Sequence, residues 1–224
     1  LRRELIANVS HELRAPLTII RGYAETVRDV TWPIDEKRTS QLNAIVEESA
    51  RLNGLVSDIL DYSKLQSGAE GFKMVSFSAA DALGELVGRF SLAASQREIA
   101  LELSCPDGDV LFDRGQLIQV VNNLLDNAVR HARAGSLVRV IGENRGKSLR
   151  IFVENVGDPI PPEELPKIWD RYHRAPKTGE AGNLGTGLGL AIVKSILEQH
   201  GVAYGVESDE NKTVFWFDTV VELL

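Results

Sequence analysis

The hydrophobic periodicity of the chain changes once, near Gly71, and this change limits the folds that the chain can adopt. Before Gly71, apolar residues recur every three or four positions, which predicts helices. After it, segments with strand-like alternation and segments with helical spacing follow one another. We therefore predict a helical part at 1–66, a linker at 67–72 with two glycines, and an α/β part at 73–224.

The helical part is predicted to be two helices joined by a short loop. The first apolar stripe runs to about Val30, and Trp32-Pro33 then ends the helix, because a proline disfavours helical geometry in the residue before it. The second stripe keeps alternating steps of three and four from Leu42 to Ser63, which is typical of bundle packing. Two helices alone cannot bury stripes this broad, so we expect a homodimeric four-helix bundle.

The α/β part is predicted to alternate between strands and helices. Strands are predicted near 73–77, 99–104, 109–112, 136–144, 148–155, 202–207 and 213–219, and helices near 79–95, 114–132 and 186–200, with a short helix at 163–169. Asp113 with Gln116 resembles a capping box at the start of the middle helix, and Thr186 is a candidate cap for the last one. The irregular stretch 156–184 is long enough to indicate a functional segment.

Composition excludes some classes of function. The formal net charge of −7 argues against a dedicated nucleic-acid-binding protein, which would concentrate lysine and arginine. No run approaches the ~20 apolar residues that cross a bilayer. One cysteine in 224 residues cannot form an intramolecular disulfide, which agrees with a reducing compartment. The chain begins with Leu1 in an apparent helix, so we expect a fragment of a longer protein.

The first candidate for chemistry is the segment Ser10-His11-Glu12-Leu13-Arg14-Ala15-Pro16-Leu17. The apolar positions of this helix leave His11 off the buried stripe, so we expect it to face solvent. A surface histidine without a function is the alternative. Against it, Pro16 lies within the helical pattern, where a proline costs about 3 kcal/mol. A neutral imidazole is a nucleophile near neutral pH, and the carboxylate of Glu12 can hold one ring N–H.

A second group lies on the middle helix of the α/β part. Asn123, Asn127, Arg130 and His131 occupy a stripe next to the buried face. Such a row can offer an amide oxygen to Mg²⁺ and cationic donors to phosphate oxygens. A solvated polar face is the alternative, but asparagine is a mediocre helix former, and its repeated use here favours a function.

Two further segments complete the set. Gly185, Gly187 and Gly189 open the last helix, where backbone N–H groups can approach an anion. A tight turn before a core helix would not require three glycines. Asn155 ends a strand, where its amide can bond to the edge of a base, and Ile160 can pack on the face of that base; a simple turn is the alternative.

These four segments resemble, respectively, the H, N, G2 and G1 boxes of sensor histidine kinases. The resemblance covers nearly the whole chain and implies a multidomain protein, α and α+β. Its parts would be a dimeric phosphotransfer hairpin of the HisKA type and a GHKL (Bergerat-type) α/β sandwich that binds ATP and Mg²⁺. It also implies autophosphorylation on His11, transfer to an aspartate of a response-regulator receiver domain, and a cytoplasmic fragment of a bacterial inner-membrane sensor that is anchored upstream.

The resemblance also implies roles for individual residues. His11 would be the phosphoacceptor, Glu12 its partner and base, and Arg14 a nearby cation, while Asn127 would ligate Mg²⁺. The segment 165–174 resembles the F box, with Trp169 and Tyr172 in place of its usual phenylalanines. The implied ATP-binding residues are Asn123, Asn127, Arg130, His131, Asn155, Ile160, Arg174, Gly185, Thr186, Gly187, Leu188 and Gly189.

The chain departs from the family pattern at three positions. Asn155 stands where an aspartate is usual, Pro159 replaces a glycine, and Ala15 replaces a threonine or asparagine that orients the hydrolytic water, which predicts weak phosphatase activity. Two other readings remain open at this point. One is a kinase-like protein that binds nucleotide or docks a regulator without autophosphorylating. The other is a related ATPase, or a serine kinase that acts on an anti-sigma partner.

Overall fold

The computed structural model describes residues 2–67, 71, 73–173 and 187–221. Helix α1 (Arg2–Thr26) continues into a short π-helix (Val27–Thr31) and a turn, and α2 (Asp35–Ser67) then packs back along α1. Trp32 and Pro33 form the turn, as predicted. Arg38 closes it, because its guanidinium donates to the carbonyl of Trp32 at 2.7 Å and lies 5.3 Å from the indole centroid.

The hairpin leaves much of its apolar surface uncovered. Val27, Leu55 and Tyr62 are buried, but many large apolar side chains of the two helices and the turn are exposed. These are Leu17, Ile19, Tyr23, Val30, Trp32, Ile34, Leu42, Val46, Val56 and Leu60. The pattern agrees with the prediction that two helices are too few to bury both stripes.

The α/β part contains one mixed sheet. Its strands are β1 (Met74–Ser78), β2 (Ala100–Ser104), β3 (Asp109–Asp113), β4 (Leu137–Asn144), β5 (Ser148–Asn155), β6 (Tyr204–Ser208) and β7 (Thr213–Val221). Their order is β1-β3-β7-β5-β4-β2. Strand β6 lies outside this order: it pairs with the first half of β7, along the same side on which β3 pairs with the end of β7. The β2–β4 pair is parallel and all other pairs are antiparallel.

Three helices cover one face of this sheet: α3 (Ala79–Ser95), α4 (Arg114–His131) and α5 (Gly189–His200). Their apolar stripes share one core with alternate residues of the central strands, including Ile151 and Phe217. On the opposite face, Arg150 donates to both carboxylate oxygens of Asp218 at 2.7 and 2.8 Å and stacks 3.8 Å from the Trp216 ring centroid. The result is the predicted two-layer α/β sandwich.

Local signals account for several helix ends. The Asp113 carboxylate accepts from the backbone N–H of Gln116 at 3.0 Å, which confirms the predicted cap of α4. The side chain of Gln116 does not complete the capping box, because its amide oxygen instead contacts His200 Nε2 at 2.7 Å. Gly201 caps the end of α5, and its φ of 66° is a conformation that favours glycine.

Two expectations were wrong. The cap of α5 was predicted at Thr186, but the helix begins at Gly189 and the N-cap position belongs to Leu188, which makes no side-chain cap. The helix predicted at 163–169 is a series of turns with both three- and four-residue hydrogen bonds. Pro166 explains this difference, because it has no N–H to donate to the preceding turn.

Among the residues that the structure describes, no helix is long and apolar enough to span a lipid bilayer.

Candidate active site

The polar row predicted on α4 is present and lies beside the buried stripe. Seven apolar side chains of this helix are buried, and Asn123, Asn127 and Arg130 next to them are half-buried, while His131 is exposed. Arg130 pairs with Asp126 one turn earlier. The row therefore presents amide and cationic groups at a partly protected surface, which suits an anionic ligand.

The glycine-rich start of α5 approaches this row closely. A Cβ atom placed on Gly189 would lie 3.0 Å from Asn123 Oδ1, so a side chain at this position would push the amide away. Asn123 is held from its other end, because its Nδ2 donates to the carbonyl of Gln119 at 2.9 Å. The two segments that the sequence predicted to act together are thus in contact.

Gly187 is required by both its conformation and its surroundings. Its φ is +69°, and an added Cβ would lie 2.9 Å from the Cα of Tyr172. Tyr172 donates its backbone N–H to the carbonyl of Gly187 at 2.9 Å and itself has a φ of +60°. The buried Leu188 follows, so the segment that opens α5 is fixed from both sides.

Asn155, the last residue of β5, is closely surrounded by neighbouring residues. The residue is only 2% exposed, and it lies in register with Val138 on one side and Thr213 on the other. A Cβ added to Gly157 would meet the carbonyl oxygen of His131 at 2.3 Å and Asn155 Nδ2 at 3.0 Å. The turn after Asn155 is therefore pressed against the end of α4, which brings Asn155 near the polar row.

A hydroxyl pair holds the next part of this loop. The backbone N–H of Ile160 donates to Ser208 Oγ at 2.9 Å, and Ser208 and Thr213 share a hydrogen bond at 2.7 Å. Ile160 is half-buried against the core. We did not predict Ser208 or Thr213 from the sequence. The one signal was that Thr213 occupies a core-facing position of a strand where the alternation calls for an apolar residue.

Glu164, Lys167 and His173 form a cluster in the segment that precedes residue 174. Glu164 contacts His173 Nε2 at 2.7 Å and accepts from Lys167 at 3.0 Å. The Lys167 ammonium, followed by His173, holds the pKa of the Glu164 carboxyl below its usual value. The cluster joins the two ends of this segment, which the sequence pattern did not reveal.

The phosphoacceptor candidate lies within α1, which is continuous through Pro16. Arg14 and Ala15 are exposed, Pro16 is buried, and the hydroxyl of Thr18 bonds to the carbonyl of Arg14 at 2.8 Å. The side chains of His11 and Glu12 lie outside the described residues, so their predicted exposure remains a prediction. Arg174, Gly185 and Thr186 lie outside them as well.

The donor set suits a cation that is held mainly by a nucleotide. In the described part of the chain, no group of three or more His, Cys, Asp or Glu side chains could bind a metal ion. Mg²⁺ commonly keeps several waters and binds through one or two protein oxygens together with substrate phosphates. A single amide oxygen at the half-buried Asn127 is compatible with that arrangement.

Two family models match the chain. Residues 1–68 match the His Kinase A (phospho-acceptor) domain, and residues 112–222 match the histidine kinase-, DNA gyrase B- and HSP90-like ATPase family. The first match contains His11, and the second contains α4, Asn155 and the start of α5. Both matches agree with the order of the motifs along the chain.

Individual relatives extend over both parts. The sensor protein SrrB of Staphylococcus aureus is 32% identical over 219 residues, which are 95% of this chain and 36% of the relative. The solved complex of the histidine kinase ThkA with the response regulator TrrA has a TM-score of 0.78 and 28% identity, and the match covers 98% of this chain and 61% of that one. The histidine kinase AdeS of Acinetobacter baumannii, at 23% identity, shares the fold with a TM-score of 0.74 over 95% of this chain and 98% of its own.

The chain thus spans about a third of the length of the curated relatives it matches. The matched portion joins a phosphoacceptor domain to an ATPase domain in the same order as the motifs. The chain therefore belongs to the sensor histidine kinases of two-component systems and forms their phosphoacceptor and ATPase core.

Proposed function

We propose that the chain binds ATP with Mg²⁺ in its α/β part, phosphorylates His11 and passes the phosphoryl group to an aspartate of a response regulator. The observation that carries this proposal is the contact between the polar row of α4 and the glycine-rich start of α5, where Asn123 lies against Gly189. Backbone N–H groups at a helix start bind phosphate oxygens well. The same site is bordered by Asn155, which can bond to a base.

The proposed chemistry has two transfers. A lone pair of the His11 imidazole attacks the γ-phosphorus, the bond from that phosphorus to the β–γ bridging oxygen breaks, and ADP leaves. Glu12 takes the proton that the phosphorylated ring releases. In the second step, a carboxylate oxygen of the regulator attacks the same phosphorus, the N–P bond breaks, and the proton returns from Glu12 to the leaving imidazole. Asn127 would hold Mg²⁺, which would neutralise charge on the phosphates. The protein itself would mainly position the reactants.

We also propose the division of labour along the chain. In this division, residues 1–66 form the dimerisation and phosphotransfer domain, residues 67–72 are the linker, and residues 73–224 form the nucleotide-binding domain. The exposed apolar residues of the hairpin support a homodimer, since a second copy would cover them. The complex of ThkA with a response regulator supports a receiver domain as the partner. The whole protein would be a membrane-anchored sensor that carries this portion in the cytoplasm.

Incubation with γ-labelled ATP and Mg²⁺ tests the proposal. Wild-type protein should acquire acid-labile label, His11→Gln should acquire none, and Asn127→Ala should label far more slowly while it still folds. A purified, folded protein that binds ATP but acquires no label would favour a nucleotide-binding role without transfer. Acid-stable label on serine would favour a serine kinase instead.

Ala15 gives a separate test of the regulator-directed reaction. The residue is exposed, so Ala15→Thr should cost no more than the small difference in helix propensity. We expect the wild type to dephosphorylate a labelled regulator slowly, and Ala15→Thr to do so faster. Rapid dephosphorylation by the wild type would contradict the expectation.

A further inference from the structure

The last turns of α2 are part of the hydrophobic core of the α/β part. Tyr62 is only 4% exposed and belongs to the same buried cluster as the sheet and α3–α5, with Ile59 and Leu65 packed against that cluster. Gln199 in α5 also donates to the carbonyl of Leu65 at 3.0 Å. The hairpin is therefore docked on the α/β part through specific side chains.

A first line of contacts runs from this docked end to the start of α5. Asp61 accepts a hydrogen bond from Gln119 Nε2 at 3.0 Å. The carbonyl of the same Gln119 accepts from Asn123 Nδ2 at 2.9 Å, and Asn123 Oδ1 lies against Gly189. One residue of α4 thus contacts both the hairpin and the candidate phosphate site.

A second line reaches the same place from the other side. The Arg171 guanidinium lies 4.7 Å from the ring centroid of Tyr62, within range of a cation–π interaction. The next residue, Tyr172, donates its backbone N–H to the carbonyl of Gly187 at 2.9 Å. A displacement of Tyr62 would therefore move Arg171, and through the adjacent Tyr172 it would change the position of Gly187.

We propose that Asp61, Tyr62, Gln119 and Arg171 are positioning residues, through which docking of α2 sets the affinity of the α/β part for nucleotide. The inference rests on the proposed function, because it assigns the start of α5 to phosphate binding. A cradle made of backbone N–H groups binds well only when its geometry is fixed beforehand. The coupling is reciprocal, so bound nucleotide also strengthens the docking of α2.

The Tyr62–Arg171 contact can be tested on the full chain by measuring the Kd of Mg²⁺ with a non-hydrolysable ATP analogue. Arg171→Gln and Tyr62→Leu should each weaken nucleotide binding by about threefold to tenfold. The double variant should bind the nucleotide with the same affinity as the single variant that binds it less tightly, because both substitutions remove the same contact. Tyr62→Phe keeps the ring and should bind within about twofold of wild type. Arg171 is exposed, so its variant retains the fold.

Two controls separate positioning from general damage. Arg145→Gln removes a guanidinium that lies 5.9 Å from the Phe152 ring on the far side of the sheet, and its Kd should be unchanged. Asp61→Asn keeps an oxygen that can accept from Gln119 and should preserve binding, whereas Asp61→Leu should weaken it. Equal affinity in wild type, Arg171→Gln and Asp61→Leu, or additive losses in the Tyr62–Arg171 double variant, would overturn the inference.

Hydrogen exchange supplies the reciprocal readout. Backbone amides of residues 59–65 should exchange more slowly once the nucleotide analogue is bound, and this slowing should be lost in Arg171→Gln at saturating nucleotide. Unchanged exchange in the wild type with nucleotide bound would contradict the coupling while leaving the proposed kinase activity intact. Failure of the wild type to bind any ATP analogue would instead remove the proposed function and this inference with it.

Discussion

At the scale of single residues, the tightest constraints occur where one backbone approaches another. Gly157 leaves no room for a Cβ beside the carbonyl of His131, and the flat ring of Trp216 covers Gly205, where an added Cβ would lie 2.7 Å from the indole. Gly88, in the middle of α3, has open space around its missing Cβ. The same residue type is thus required at some positions and replaceable at others.

A pair of identical substitutions tests this difference. Gly157→Ala should lower the free energy of unfolding by about 2 kcal/mol or more, because the backbone of the turn must move away from α4. Gly88→Ala should raise it by about 0.5–1 kcal/mol, because alanine is the better helix former. Urea denaturation measures both. Equal effects of the two substitutions would show that the contact at His131 is easily relieved.

His200 predicts a dependence of stability on pH. Its ring stacks on Phe112 at 3.7 Å, and burial lowers its pKa below 6.5 despite the opposing charge of Asp113. The unfolded chain therefore takes up the proton more readily than the folded one. The free energy of unfolding should be largest above about pH 6.5 and should fall as the pH decreases through that value.

Urea denaturation at about pH 7.5 and about pH 5.5 checks this expectation. The His200→Gln variant keeps a hydrogen-bonding amide beside Gln116 but cannot be protonated. It should therefore lose less stability than the wild type between the two pH values. Equal losses would assign the acid sensitivity to other groups.

At the scale of secondary-structure elements, one carboxylate joins two of them. Asp113 ends β3 and caps α4 through one oxygen, and its other oxygen accepts from the backbone N–H of Lys73 at 2.7 Å, next to β1. Ser78 has the simpler role of capping α3 through Asp81. Asp113 therefore fixes both a helix start and the position of an edge strand.

Substitutions at the two caps should separate these roles. Asp113→Ala should cost about 1–2 kcal/mol, more than Ser78→Ala at about 1 kcal/mol, because the first change removes two acceptors. Asp113→Asn should cost less than Asp113→Ala, since one acceptor oxygen remains. Chemical denaturation of the three variants gives the order. A larger loss for Ser78→Ala would contradict it.

Most elements could be predicted from the sequence because their signals are local. Alternation and helical spacing place every strand and the three helices of the α/β part within about three residues of the observed bounds. The helix predicted at 163–169 was wrong because the prediction relied on the apolar spacing and gave too little weight to Pro166. The cap predicted at Thr186 was wrong because the N-cap position belongs to Leu188, which directly follows Gly187 with its φ of +69°. The pairing of Ser208 with Thr213 depends on strand register, which spacing alone does not reveal.

At the scale of the whole molecule, two surfaces of the hairpin differ in how far they are buried. The end of α2 is docked on the α/β core through Tyr62, whereas Val46 on the same helix is 67% exposed. The homodimer that we propose was expected from the breadth of the stripes. The docking was not, because it depends on Asp61 and Gln119, which are 58 positions apart in the sequence.

A charge among the exposed apolar residues of the hairpin should break the proposed homodimer. Val46→Lys should shift the molecule from dimer to monomer in sedimentation velocity, because it would place a lysine of each copy in an apolar interface. Leu92 on α3 is 68% exposed and gives a matched control. Leu92→Lys should leave the dimer unchanged. A stable dimer of Val46→Lys would place the interface elsewhere.

The central position of β7 has a consequence for biosynthesis. This strand, the last of the α/β part, pairs with β5 along one side and with β6 and β3 along the other. Among the strands that the structure describes, β1 and β3 have no hydrogen-bonded connection to β2, β4 and β5 until β7 has left the ribosome. Nascent chains that stop before Thr213 would therefore expose two unfinished sheet edges to chaperones and proteases.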